Sequence, residues 1–417
     1  MFRKKSKIKP FITVLDIGTS KVCCLIVRFD SEEKPEVLGM GYAPAQGIKA
    51  GAIVDLEKAT ACIASVLAQA EKQAERQIDK VIVNISSTQL KSLYAYREIE
   101  IAEGKPITAG DVKRLVDDLI AAHMGSNDEI IHSFPLGYVV DKEQGSMDPR
   151  GLYGTLLGAH VHLTLLPESQ LRNLVAVLDR CHVSIEMKVA APYAAALSVL
   201  TEEEKEIGAT CLDMGAGTTG ICVFLGGGLV NLGIVPIGGN AVTRDIAQGL
   251  GASIATAERL KNLNGAAFLS PRDELERLIV PVLGEEEGSN VQLPRSDLIS
   301  IIIPRIEEIL EQVGRFLKKE SRFNIATKRI VLTGGGSELQ GIKEKTAREL
   351  DASVRIGKPS AIKGMQGQYD AYTFSTCIGL LKYAMMKYKN LPMEKLVSTA
   401  PQKGLFGKVI EWLTQNF

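Results

Sequence analysis

Two short glycine turns limit what this chain can become more than any other feature. Asp16-Ile17-Gly18-Thr19-Ser20-Lys21 and Asp213-Met214-Gly215-Ala216-Gly217-Thr218-Thr219 each leave one apolar strand and enter another. Glycine lets a backbone approach an anion and take positive φ, while successive N–H groups and the Thr19, Ser20, Thr218 and Thr219 hydroxyls point at phosphate oxygens. Asp16 and Asp213 end their strands, where facing carboxylates hold a hydrated Mg²⁺ that neutralises phosphate. One such turn alone is an ordinary hairpin. Two at corresponding places in similar halves predict a single nucleotide clamped between them.

Around each turn the chain repeats one plan. Strand-like runs at 11–16, 22–29 and 36–42 precede an amphipathic helix from Leu56 to Gln77, with Ile63, Val66, Leu67 and Ala70 on its stripe, and a strand from Val81 to Ile85. In the second half ATCLDMGAGTTGICVFLGGGLVNLGIVPIGG is again strand, turn, strand, turn, strand, with a helical segment from Asn240, which duplication explains. Between them, Ser86 to Val161 reads as an inserted subdomain: the alternating LYAYREIEI, a helix capped by Thr108 and Asp111, and a strand-like run from Ile130 to Val140. VHLTLLPESQLRNLVAVLDRC then supplies a strand and a helix, and the small-residue helix VAAPYAAALSVL, with Pro192 near its start, is a candidate hinge. Ser253 to Arg305 is irregular; beyond it lie a long helix from Asp297 to Lys319, the strand RIVLTGGG and a helix from Glu338 to Leu350.

At 417 residues, two or more domains are expected. The formal net charge is zero, so no overall field attracts nucleic acid. The seven cysteines lie mostly in apolar runs with neither a Cys-x-x-Cys pair nor a disulfide framework, as buried thiols of a reducing compartment do. MFRKKSKIKP is basic like the start of a signal peptide, but Asp16, Gly18 and Lys21 break the apolar run that follows. No uncharged apolar run reaches the ~18 residues a membrane-spanning helix needs.

A third glycine element, Leu332-Thr333-Gly334-Gly335-Gly336-Ser337, lies between a strand and a helix, where backbone can approach a ribose and α-phosphate; alone it is equally a turn. In their order the three elements resemble the phosphate 1, phosphate 2 and adenosine motifs of the actin, sugar kinase and heat-shock chaperone superfamily. Ala257-Glu258-Arg259-Leu260-Lys261 resembles the chaperone branch's E-x-x-K helix beside adenine and ribose, and reads equally as an exposed charged face. VAAPYAAALSVL resembles the superfamily's connecting helix.

FITVLDIGTSKV, the insertion, GNAVTRDIA, IVLTGGGSELQGI and the amphipathic end together resemble the FtsA family of bacterial division proteins. The resemblance implies an α/β fold of two duplicated actin-like (ribonuclease H-like) lobes around a nucleotide cleft, with an FtsA-type inserted subdomain 1C and a C-terminal amphipathic helix. Subdomain 1A would cover 10–85 and 162–205, 1C 86–161, 2A 206–236 and 305–388, and 2B 237–304, with a flexible linker at 389–402 and a membrane-targeting helix at 403–417. The implied cofactors are ATP and Mg²⁺. Nucleotide contacts would come from Asp16, Gly18, Thr19, Ser20, Lys21, Asp213, Gly215, Gly217, Thr218, Thr219, Glu258, Lys261, Gly334, Gly335, Gly336 and Ser337, with Asp16 and Asp213 holding the metal through water. No general base is legible, so no catalytic residue is assigned and any hydrolysis would be slow.

The implied partners are the FtsZ C-terminal peptide, further copies of the chain in a filament, and later division proteins, on the cytoplasmic side of the inner membrane at the division site. Arg295 and Arg305 resemble the family's cations for an acidic peptide and read equally as solvated surface. At 100° per residue, Leu405, Phe406, Val409, Ile410, Trp412, Leu413 and Phe417 fall within an arc of about 160°. A helix of about 15 residues is roughly 22 Å long, too short to cross a bilayer and suited to lying in its interface; docking on the protein's own core is the alternative. A kinase of the same superfamily, or a soluble peptide-binding relative resembling PilM, leaves that tail unexplained.

Overall fold

The computed structural model describes residues 11–29, 34–123, 127–141, 143–146, 148–281, 290–319, 324–365 and 372–389. Its first lobe opens on β1 (Phe11–Ile17) and β2 (Lys21–Phe29), and every residue from Val22 to Val27 is buried, as in a strand covered on both faces. β3 (Pro35–Pro44) completes an antiparallel meander; the short pair β4 (Ile48–Lys49) and β5 (Ala52–Ile53) leads to α1 (Leu56–Ala74) and β6 (Lys80–Ile85). Helix α1 starts at Asp55, whose carboxylate accepts the Lys58 N–H, and stops at Glu75 in the left-handed conformation. Its stripe of Ala59, Cys62, Ile63, Val66, Leu67 and Ala70 covers the sheet, and full burial of Ile63 or Val66 contributes about 1.5–3 kcal/mol each.

The insertion forms a layer of its own, with β7 (Lys91–Glu100), α2 (Ala109–His123), β8 (Asp128–Val140), β9 (Glu143–Ser146) and β10 (Leu156–Pro167) in the sheet order β7-β10-β8-β9. Its helix begins in a reciprocal cap: the Asp111 N–H donates to Thr108 Oγ1 at 3.2 Å and the Thr108 N–H to Asp111 Oδ2 at 3.0 Å. Leu115 and Leu119 pack on Leu157, Val161 and Leu163 in a separate small core. Strand β10 runs on to Pro167, its pairing with β8 continuing to Asp128.

The chain returns through α3 (Arg172–Arg180), β11 (Ser184–Ala190), α4 (Ala191–Val199) and α5 (Glu202–Ile207). β11 pairs parallel with β6, which makes the first sheet β11-β6-β1-β2-β3. The second lobe contains the meander β12 (Ala209–Met214), β13 (Thr219–Leu225) and β14 (Gly228–Val235), then α6 (Gly239–Leu250) and α7 (Ile254–Asn264). After the hairpin β15 (Arg277–Pro281) and β16 (Asn290–Pro294) come α8 (Arg295–Lys318), α9 (Asn324–Thr327), β17 (Arg329–Thr333), α10 (Ile342–Leu350) and β18 (Ser353–Ile356). The sheet order β14-β13-β12-β17-β18 repeats the first lobe strand for strand: a meander followed by two parallel strands.

Helix α4 lies at the junction, buried along its whole length and made of small residues that let other backbones come close. A final helix, α11 (Ser375–Lys389), crosses it where a Cβ on Gly379 would stand 1.7 Å from the Ala194 carbonyl oxygen. Cys377, Ile378, Leu381 and Ala384 belong to a core that joins Val14 and Tyr193 to Cys211, Cys222 and Phe224 of the second lobe. The expected linker from 389 begins inside this helix, and residues 390–417, the amphipathic tail included, lie outside the described residues.

Candidate functional site

The two glycine turns face each other between the lobes. The Gly18 N–H donates to the Lys21 carbonyl and the Gly215 N–H to the Thr218 carbonyl, each at 2.9 Å, so both hairpins close alike. Asp16, opposite Cys23 on β2, and Asp213, opposite Gly220 on β13, end equivalent strands and line one cleft of about 600 Å³. Gly18, Thr19, Ser20, Lys21, Gly215, Gly217, Thr218, Thr219, Glu258, Lys261, Gly334, Gly335 and Gly336 line it as well. Ser337 lies beneath, its hydroxyl donating to the Gly334 carbonyl at 2.7 Å. The turn tips nearly touch: a Cβ on Gly217 would come within 2.5 Å of Thr19 Oγ1. Gly334 needs glycine twice over, for its φ of +80° and because a Cβ would reach Asp213 Oδ1 at 2.4 Å.

The cleft floor concentrates charge in a poorly hydrated place. Burial pushes the Asp16 carboxyl up to about 6 against the attraction of Lys21, with the Asp213 charge adding to the rise. Asp213 is likewise pushed up to about 6 by burial, opposed by the Thr376 hydroxyl and by Lys21. Lys21 is itself driven down by burial; its ammonium donates to the Thr373 carbonyl and sits 3.7 Å from the centre of the Phe374 ring. Two carboxylates thus share one buried ammonium, which leaves the cleft floor with an excess of negative charge. Among the described residues no group of three or more His, Cys, Asp and Glu side chains could hold a metal.

Glu258 and Lys261 turn toward the cleft. The Lys261 ammonium bonds Glu258 Oε2 at 2.6 Å and Thr243 Oγ1 at 2.9 Å, tying α7 to α6. Although burial opposes it, hydrogen bonds from Lys261 and from the Thr243 hydroxyl hold Glu258 below the ordinary carboxylate range. Several lining residues went unread in the sequence. Asn84 brackets the first turn by accepting the Ile17 N–H at 2.7 Å and donating to the Ile17 carbonyl at 3.3 Å. Gly239 and Asn240, at the start of α6, donate to the Gly215 and Ala216 carbonyls at 3.0 and 2.8 Å. Thr376 on α11 donates to Asp213 Oδ2 at 3.3 Å, from a stretch whose only local sign is Thr and Ser ahead of an apolar run.

The two expected peptide-binding arginines do not line the cleft. Arg295 pairs with Asp273 at 2.6 Å, a nearly buried contact; Arg305 bonds Asp245 at 2.6 Å and also Glu308. The tail residues Leu405, Phe406, Val409, Ile410, Trp412, Leu413 and Phe417 lie outside the described residues.

Two lobes of one strand plan, closing paired glycine turns and acidic strand ends on a shared cleft, define an actin-like fold. Solved structures agree. The chain resembles the PilM-PilN type IV pilus biogenesis complex (TM-score 0.62, 15% identity, 90% of this chain and 98% of the other) and MreB5 of Spiroplasma citri bound to AMPPNP (TM-score 0.53, 12% identity, 91% and 98%). The profile of cell division protein FtsA matches residues 210–379, and that of the SHS2 domain inserted in FtsA matches 87–165. The cell division protein FtsA of Agrobacterium fabrum is 34% identical, covering 99% of this chain and 96% of that protein, and that of Escherichia coli K12 is 30% identical over 99% and 100%. The chain belongs to the FtsA family of bacterial cell division proteins.

Proposed function

We propose that this chain is an ATP-binding, filament-forming adaptor that holds FtsZ filaments to the inner face of the cytoplasmic membrane at the division site. The observation that carries the nucleotide reading is the single cleft onto which Asp16, Asp213 and both glycine turns open. ATP·Mg²⁺ fits this donor set. The turn N–H groups and the Thr19, Ser20, Thr218 and Thr219 hydroxyls would take phosphate oxygens, Asp16 and Asp213 would hold the metal through water, and Gly334, Gly335 and Gly336 would admit the nucleoside. When bound, the metal screens phosphate charge. Binding that differs between open and closed lobes would bias the angle across α4 and α11 and so the contacts between subunits.

No helix among the described residues is long and apolar enough to cross a membrane. In the proposal the attachment is peripheral, through residues 403–417. The FtsZ C-terminal peptide would dock near α8, where Arg305 must trade the Asp245 carboxylate it already holds for one of the partner's, which favours specificity over affinity. Isothermal titration of the full chain with ATP, with and without Mg²⁺, tests the core of the reading. Metal-dependent binding that Asp213→Asn weakens supports it, and absence of ATP binding by the native chain rejects it.

A further inference from the structure

We infer that Gln340 contacts the nucleoside half of the bound nucleotide, and that Arg295 is the positioning residue that aims it by occupying its carbonyl oxygen. The inference rests on the nucleotide reading of the cleft. Arg295 opens α8 and engages its whole fork: Nη2 donates to Gln340 Oε1 at 2.8 Å, Nη1 to Asp273 Oδ1 at 2.6 Å and Nε to the Asn264 carbonyl at 2.8 Å. The partners are fixed in turn. Asp273 Oδ2 accepts the Ser270 N–H at 2.6 Å, and its side chain is only 3% exposed. A guanidinium bonded to three acceptors at once has little freedom left.

Gln340 is therefore pinned at two points. Its backbone carbonyl accepts the Ala267 N–H at 2.8 Å, and its side-chain oxygen is taken by the guanidinium. What remains is the side-chain NH₂, a donor on a residue that lines the cleft. Leu263, Ile306, Ile309 and Leu339 line the same cleft, as do the polar Glu258, Lys261, Asn262 and Glu338 outside the two turns. Apolar side chains beside a hydrogen-bond donor orient a flat heterocycle: packing buries the rings, and the donor selects an acceptor, here a ring nitrogen or a ribose oxygen. The three-way bonding of Arg295 also explains why a cation at the head of α8, beside the proposed peptide surface, is turned inward.

The test compares ATP with inorganic tripolyphosphate, which carries the phosphates without the nucleoside, on the full chain with Mg²⁺. Gln340→Leu should weaken ATP roughly three- to tenfold, the range of one neutral hydrogen bond, and leave tripolyphosphate unchanged. Arg295→Lys keeps a cation beside Asp273 but cannot bridge three acceptors, so it should lose ATP affinity to a similar degree with tripolyphosphate again unaffected. Because both changes remove the same contact, the double variant should bind ATP no worse than Gln340→Leu alone. ATP affinity untouched by Gln340→Leu, parallel loss of both ligands, or fully additive losses would each overturn the assignment. Failure of the native chain to bind either ligand would instead reject the nucleotide reading beneath it.

Discussion

Ser92 of the insertion grips Leu232 of the second lobe from both sides: its hydroxyl accepts the Leu232 N–H at 2.9 Å and donates to the Leu232 carbonyl at 3.0 Å. With the hydroxyl proton so used, His162 Nε2, 2.9 Å from Ser92 Oγ, must be the donor, which leaves Nδ1 as the bare nitrogen. Tyr94 adds a bond from its hydroxyl to the Val230 carbonyl. β14 is the edge of its sheet, so side chains of the insertion cap backbone groups that a sixth strand would otherwise claim. A subdomain inserted in the first lobe is thereby fastened to the second.

Ser92→Ala should loosen that fastening. It removes the capping partner of a largely buried carbonyl and the acceptor for His162, which predicts a loss of about 1–3 kcal/mol in unfolding free energy. Amide exchange along β14 is the more specific readout: protection should fall at Val230 and Leu232 and hold on β12, at the sheet centre. Unchanged exchange along β14 would mean that the bridge contributes nothing.

Asp213→Asn separates stability from binding. Burial raises the Asp213 pKa to about 6, so above that pH the folded chain holds a charge it disfavours. An acid raised in the folded state binds more protons there than when unfolded, so its contribution to stability falls as pH climbs from about 4 to 6. At pH 7.5 the neutral amide should leave the ligand-free protein as stable as before or more so, while Mg²⁺-dependent ATP affinity drops by about tenfold or more. Native Mg·ATP affinity should itself decline as pH is lowered through about 6, where Asp16 and Asp213 take up protons. Calorimetry at pH 5.5 and 7.5 with thermal melts of both proteins checks the pair; affinity that is flat with pH refutes the carboxylate assignment.

The buried histidines tilt the balance the other way. Burial pushes His132 down to about 3, with Lys387 and His162 adding to the fall, and His162 down to about 4. Both stay neutral in the fold and charge on unfolding, so their contribution to stability is intact above the unfolded value near 6.5 and is lost as pH falls toward 4. His162→Gln should flatten the acid limb of a stability profile between pH 6.5 and 4. An unaltered slope there would show that His162 is already protonated in the fold.

Gly335→Val probes the cleft without strained backbone. Unlike Gly334, this position has no positive φ, and a Cβ would meet only Thr373 Cγ2, at 3.1 Å. The branched side chain should therefore fold and melt near the native temperature while obstructing the space in which the nucleoside is placed. ATP binding reduced by less than about threefold, a difference under 1 kcal/mol, would count against that placement.

The repeated plan was legible because it is local: each glycine turn sits between apolar strands, and spacing places one after the other. Strand β11 was not, since SIEMKVA alternates only weakly and owes its state to parallel pairing with β6, a hundred residues earlier in the chain. Helix α11 escaped for the same reason; Thr376 reaches Asp213 only because the chain returns to the cleft far along its length. Arg295 is the sharper lesson. Its charge and its place at the head of a helix suggest a solvent-facing cation, and only Asp273, Asn264 and Gln340 brought together in space turn it inward.

The tail decides whether assembly and attachment are linked. As the helix its sequence pattern predicts, Leu405, Phe406, Val409, Ile410, Trp412, Leu413 and Phe417 would share one apolar face, with only Lys403 and Lys408 nearby to meet anionic lipid. One such helix binds a bilayer weakly, whereas several presented along a filament gain from effective concentration, so retention should rise steeply once the chain polymerises. Co-sedimentation with anionic phospholipid vesicles, comparing the full chain with one ending at Ala400 across a range of protein concentrations, measures this. The full chain should pellet with vesicles along a sigmoidal curve and the shortened chain should stay in the supernatant. Equal pelleting would remove residues 401–417 from the mechanism, and a simple hyperbolic curve for the full chain would uncouple anchoring from polymerisation.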